Sequence, residues 1–101
     1  MTDFMLLMHG DAVAAESEET IDAWARYVGK LQDSGNFQGG SAIGPGVCAR
    51  KSGTAPPITG HLVGFIRVSA DSLEHARKLL VGNPVFEAGG TVEIRELLLT
   101  D

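Results

Sequence analysis

The fold of this chain is decided by residues 60–99, GHLVGFIRVSADSLEHARKLLVGNPVFEAGGTVEIRELLL. Residues 62–68 are rich in β-branched and aromatic side chains, which favours a strand. A helix with Asp71 or Ser72 as its N-cap follows, and residues 91–99 form a second strand. This half of the chain therefore predicts a β-α-β unit.

The first third of the chain repeats the same order of elements. Residues 4–9 form a short continuous apolar run, which predicts a buried strand. Residues 18–34 predict a helix, with Ser17 as its N-cap and Gly35 as its C′ residue. The apolar side chains that recur at helical spacing are Ile21, Trp24, Ala25, Val28 and Leu31.

The glycine-rich middle predicts strands joined by turns. Residues 37–43 read as a short strand with a Gly-Gly bulge, and residues 47–51 as a second hairpin arm before a loop at 53–60. The element order is then β-α-β-β-α-β, the ferredoxin-like α+β sandwich with an antiparallel sheet and helices on one face. Because large apolar sheet faces are rarely left bare, we expect a homodimer whose sheets pack face to face.

Length and composition set further limits. The 101 residues suit a single domain spanning 1–101, and eight Lys and Arg against 13 Asp and Glu give a net charge of −5, which argues against nucleic-acid binding. Cys48 is the single cysteine, so no intramolecular disulfide forms and a reducing cytoplasm fits best. The sequence shows no signal peptide and no membrane-spanning run. We expect a cytoplasmic protein without membrane contact.

His9 and Asp11 are the best candidate catalytic pair. They end a buried strand, where side chains can face a cleft, and residues i and i+2 of a strand share a face. A histidine beside a carboxylate can act as a general base, with Asp11 orienting His9. The alternative is structural: His9 is a satisfied, half-buried histidine and Asp11 accepts hydrogen bonds in a turn.

Three further residues are candidates for ligand binding. Trp24 could line a small-molecule pocket, although core packing is the commoner role at its position. His61 begins a strand and Arg67 lies within it, so both could face a cleft or form solvated cross-strand contacts. The histidines lack metal-ligand spacing and Cys48 stands alone, so we expect neither a metal nor a cofactor.

Several segments of the chain resemble the YCII-related family, especially its branch with a DGPF tetrapeptide. The opening FMLLMHGD, residues 4–11, resembles the family's YMLLIYGD. Residues 23–35 resemble its first helix, 64–74 its GGFYLIEVDSLDEA segment, and 92–96 its VEVRP end. The resemblance implies a dimeric α+β barrel of ferredoxin-like subunits, with a cleft near the start of the first strand.

Two positions depart from that family pattern. Some members carry an Asp after the first strand and a His in the first helix, proposed as a catalytic pair; Asp11 matches the Asp, but Trp24 occupies the His position. Ser52-Gly53-Thr54-Ala55 stands in place of DGPF. The expected function is binding or transformation of a small metabolite, aromatic ones included. The alternatives are a non-catalytic dimeric binding or accessory module and, by fold analogy alone, a heme- or quinone-handling protein.

Overall fold

The computed structural model describes residues 1–12 and 18–98. Ser17, the predicted N-cap, and Leu99, the predicted end of the last strand, lie outside the described residues. In chain order the elements are β1 (Thr2–His9), α1 (Glu18–Ser34), β2 (Phe37–Ala42), β3 (Leu62–Ala70), α2 (Leu73–Lys78), α3 (Pro84–Glu87) and β4 (Val92–Glu96).

The four strands form one antiparallel sheet in the order β2-β3-β1-β4. This confirms the predicted ferredoxin-like α+β fold, to which α3 adds one short turn of helix. β1 lies at the centre of the sheet, where Leu6 is opposite Ile66 of β3 and Ile94 of β4.

The sheet has one face covered by helices and one open face. Alternate residues of β1 and β3 are buried against Tyr27 and Leu31 of α1, which places the core on the helix side. The buried strand residues are Phe4, Leu6, Met8, Ile66, Val68 and Ala70. By the same alternation, the open face carries Asp3, Met5, Leu7, His9, Phe65, Arg67, Glu93 and Arg95.

The predicted end of α1 is confirmed. Gly35 has a φ of 80°, which favours glycine, and its N–H donates to the Gln32 carbonyl at 3.1 Å. The Asn36 N–H donates to the Leu31 carbonyl at 3.2 Å. These two bonds form a Schellman motif, which satisfies carbonyls that the helix leaves without partners.

The buried stripe of α1 differs from the prediction at three positions. Ile21 and Ala25 are exposed, whereas Tyr27 is buried. Burial of Tyr27 is possible because its hydroxyl donates to the Leu79 carbonyl at 2.7 Å. Trp24, Val28 and Leu31 lie on the sheet side of the helix, and Ile21 faces away from it.

In the second half of the chain, Ser72 is the N-cap of α2, and its side chain accepts from the His75 N–H at 3.1 Å. Leu73 is exposed, whereas Ala76 of α2 and Leu80, just after the helix, are buried. The last strand ends at Glu96, earlier than the predicted 91–99. Among the described residues, no helix has the length and apolar character needed to cross a membrane.

The segment between β2 and β3 departs most from the sequence prediction. β2 has a bulge at Gln38, where the register shifts between Phe37 and Gly39, one residue before the Gly-Gly pair at which the sequence predicts it. The predicted hairpin arm at 47–51 is wrong, since residues 43–61 form neither helix nor strand. The loop of residues 43–61 is almost entirely exposed.

We predict that Asn83→Ala lowers the free energy of unfolding by about 1–2 kcal/mol. Asn83 is fully buried, and its Oδ1 accepts from the backbone N–H groups of Val85 and Phe86, the start of α3. Urea unfolding of the variant measures the change. Gln32→Ala removes an exposed amide from α1 and is the control; equal losses in both variants would contradict the capping role.

Candidate functional site

A cavity of about 700 Å³ lies between the sheet, α1 and α3, at the end of β1 and not near its start, where the family resemblance implies a cleft. This volume is within the usual range for small-molecule sites, roughly 300–1,000 Å³. Its lining is mainly apolar, with His9 as the one titratable residue among those that line it. The aromatic and larger aliphatic residues of the lining are Met8, His9, Trp24, Phe37, Phe65 and Ile66.

His9 belongs both to this cavity and to the open face. Its Nε2 lies 3.0 Å from Oε1 of Glu93, and the side chains are 21% and 35% exposed. Glu93 is opposite Leu7 across β1 and β4, so the strand register places it diagonally beside His9. The pair therefore sits where the apolar cavity meets the open face.

Glu93 is held in its charged form from two sides. Arg95 donates from Nη1 to Glu93 Oε2 at 3.0 Å, while His9 is bound at Oε1. The hydrogen bond from Arg95, and after it the one from His9, lowers the pKa of Glu93. In the neutral His9 ring, Nε2 carries the proton that Glu93 accepts, which leaves the Nδ1 lone pair able to accept a proton.

His61 lies beside His9. The two ring centroids are 4.8 Å apart and the ring planes make an angle of 70°, an edge-to-face contact. The Gly10 N–H donates to the His61 carbonyl at 2.7 Å, so the end of β1 and the start of β3 are tied together there. The structure thus brings two of the predicted site residues together.

Asp11 is hydrogen-bonded to Thr91 and not to His9. Its carboxylate accepts two bonds from Thr91, from the backbone N–H at 2.8 Å and from the hydroxyl at 2.6 Å. The Thr91 hydroxyl, followed by the backbone N–H, lowers the pKa of Asp11. Within the described residues, no hydrogen bond or ion pair joins Asp11 to His9. The carboxylate that contacts His9 is Glu93.

Trp24 and Arg67 lie on opposite sides of the sheet. Trp24 is half-buried, packs against the core, lines the cavity and makes an edge-to-face contact with Tyr27 at a centroid distance of 6.1 Å. Arg67 lies on the open face, 3.5 Å from Asp3, and does not line the cavity. Trp24 therefore contacts both the core and the cavity.

Sequence reasoning did not identify Glu93 as the partner of His9. The alternation of Val92 and Ile94 with Glu93 and Arg95 indicates which face Glu93 occupies. It does not indicate that β4 pairs with β1, and only that pairing brings Glu93 to His9. Within the described residues, His, Cys, Asp and Glu form no group of three that could hold a metal ion.

The chain belongs to the YCII-related domain family, whose model matches residues 2–100. The match covers both the open face and the cavity, and it confirms the family indicated by the sequence. No curated protein matches the chain.

A solved structure with the same fold is 5-chloro-2-hydroxyhydroquinone dehydrochlorinase (TftG) from Burkholderia phenoliruptrix AC1100, in complex with 2,5-dihydroxybenzoquinone. The TM-score is 0.56 and the sequence identity 15%, with 95% of this chain and 93% of that chain covered. At this identity the similarity concerns the fold.

We predict that Asp11→Asn lowers stability near neutral pH and that the difference from the wild type disappears in acid. The folded-state pKa of Asp11 lies below its ordinary value of 3.8, so its contribution is present above that value. The contribution is lost as pH falls through the lower folded-state pKa. Thermal unfolding between neutral pH and pH about 2.5 measures this window.

Asp33→Asn makes the same charge change on the exposed surface of α1 and serves as the control. If the loss of thermal stability in Asp11→Asn stays constant down to pH about 2.5, the ionised carboxylate does not stabilise the fold through its bonds to Thr91.

Proposed function

We propose that this protein binds a small, planar, largely apolar metabolite of the aromatic or quinone class in the cavity beside His9. The observation that carries the proposal is the combination of an apolar cavity of about 700 Å³ with a single titratable lining residue. The indole of Trp24 and the ring of Phe37 offer flat apolar surface to such a ligand. The complex of TftG with 2,5-dihydroxybenzoquinone supports this ligand class.

We further propose that His9 acts as a general base and Glu93 as the residue that positions it. A ligand in the cavity that presents an acidic O–H or C–H to Nδ1 would transfer its proton there. The imidazolium that forms carries a positive charge, which the Glu93 carboxylate at 3.0 Å stabilises. Arg95 keeps that carboxylate ionised and fixed in place.

A non-catalytic binding module is the second candidate. The hydrogen bonds of Asp11 favour this candidate. Both of its carboxylate oxygens accept from Thr91, so Asp11 is not free to exchange protons with a ligand. His9 would then supply a hydrogen bond that orients the ligand. The two candidates differ in whether a bound ligand is chemically changed.

We predict that 2,5-dihydroxybenzoquinone shifts the indole N–H resonance of Trp24, the single tryptophan, in a ¹H–¹⁵N spectrum. Val28→Phe fills part of the cavity and should weaken this binding by about tenfold, or about 1.4 kcal/mol. Ala25→Phe adds the same ring on the exposed side of α1 and should leave binding unchanged. No shift of the indole at millimolar ligand, or equal effects of both substitutions, would rule out the cavity as the site.

Ligand spectra followed over time distinguish the two candidates. Conversion that is lost in His9→Ala while binding persists supports general-base catalysis. If the wild type binds the ligand and does not convert it, the non-catalytic binding module is the remaining candidate.

We predict that the His9 Nε2–H proton gives a protected, downfield resonance that is lost in Glu93→Val. The carboxylate at 3.0 Å accepts this proton, and hydrogen bonding slows its exchange with water. Glu96→Val, on the same strand but not bound to His9, should retain the resonance. If the His9 Nε2–H resonance persists in Glu93→Val, Glu93 does not position the imidazole ring.

A further inference from the structure

The cavity is longer than a single aromatic ring. Along the sheet it follows β2 from Ala42 to Phe37, which are opposite Gly64 and Val68 of β3. At about 3.4 Å per residue, the four steps from Gly64 to Val68 make roughly 14 Å. Gly64 is also opposite Met8 of β1, so one end of this stretch lies where β1 ends and the other lies at Phe37.

Helix α1 runs along the same direction over the cavity. Trp24 and Val28 both line the cavity and are one turn apart, about 6 Å along the helix axis. α1 ends at Ser34, and the chain then enters β2 at Phe37. Val28 therefore lies nearer than Trp24 to the Phe37 end, and His9 lies at the opposite end.

The two ends of the cavity differ in polarity. Among the residues that line it, His9 is the one titratable residue. The larger side chains toward the other end are Trp24, Val28, Phe37 and Ile66. The hydroxyl of Ser41 is used within its own strand, since it donates to the Ala42 carbonyl at 2.9 Å. A ligand group that requires hydrogen bonds is therefore favoured at the His9 end and disfavoured at the Phe37 end.

Small residues keep the space between the two ends open. By the alternation of the strands, Gly40, Ala42 and Gly64 face the helices, and none carries a side chain larger than a methyl group. The side chains of Val28 and Phe37 offer no hydrogen bond to water, whereas an ordered buried water makes about two to four. An apolar ligand group is the occupant that such a surface favours.

We propose that the ligand has two parts: a hydroxylated ring held at His9, and an apolar substituent of several carbon atoms that extends past Trp24 and Val28 to Phe37. The inference rests on the proposed function, because it takes the ring in the cavity as given. It adds the class of molecule, a hydroxyquinone or phenol that carries an alkyl or alkenyl side chain. A ring without the side chain leaves the Phe37 end of the cavity unfilled and forgoes its contacts.

A homologous series of ligands tests this class. The compounds are 2,5-dihydroxybenzoquinone and its derivatives with a methyl, propyl or pentyl group on one free ring carbon, and the Trp24 indole N–H shift gives each Kd. The Kd should fall roughly threefold for each methylene group added, the effect expected from burying a CH₂ group in an apolar site. If the parent ring binds and the pentyl compound binds no more tightly, the proposed function stands and this inference is overturned. If no member of the series binds, both fail.

Two substitutions on α1 show whether the side chain of the ligand lies in the cavity. Val28→Phe closes the passage from Trp24 to Phe37, so Kd should no longer fall with chain length. Ala25→Phe adds the same ring on the exposed side of α1 and should keep the wild-type gain for each methylene group. An equal gain in the wild type and in Val28→Phe would place the chain outside the cavity and overturn the inference.

Nuclear Overhauser contacts in the wild-type protein give the orientation of the ligand without any substitution. With the pentyl compound bound, the terminal methyl group should contact protons of Val28 and Phe37, and the remaining ring C–H should contact His9. Contacts of the terminal methyl group with His9, or with none of these three residues, overturn the inference.

Discussion

The placement of β1 between β3 and β4 is the constraint on which the rest of the structure depends. Leu6 is opposite Ile66 on one side and Ile94 on the other, and Phe4, Leu6 and Met8 are buried against the helices. A slip of one residue would move all three side chains to the open face. The burial that fixes this register also fixes His9 beside Glu93, so the polar pair owes its geometry to the core.

Features with local signals could be predicted from the sequence. Both long strands, α1 and its glycine cap depend on residues close together in the chain, and the structure has them near their predicted bounds. Tyr27 shows where this reasoning fails. A tyrosine counts as partly polar in a helical pattern, and its burial depends on the carbonyl of Leu79, a distant residue that the pattern does not contain.

The candidate site could be predicted in part for the same reason. His9 and Trp24 follow from the end of a buried strand and from a helix stripe, and both line the cavity. Asp11 was the natural partner for His9 because it is two residues away, but β1 ends at His9 and the chain turns at Gly10. Asp11 then meets Thr91, while His9 meets Glu93; both contacts depend on the arrival of β4 from the far end of the chain.

The position of His9 at the boundary between cavity and open face determines how strongly Glu93 acts on it. An imidazole–carboxylate pair exposed to water gains little from its Coulomb attraction, because water screens the charges. The same pair strengthens when water is excluded, and an adjoining apolar cavity excludes it from one side only. A ligand that fills the cavity displaces the remaining water on that side. The cavity would then hold the apolar body of the ligand, while the pair meets its acidic edge, and a proton held between Nδ1 and the ligand responds more strongly to Glu93 than it would in open water.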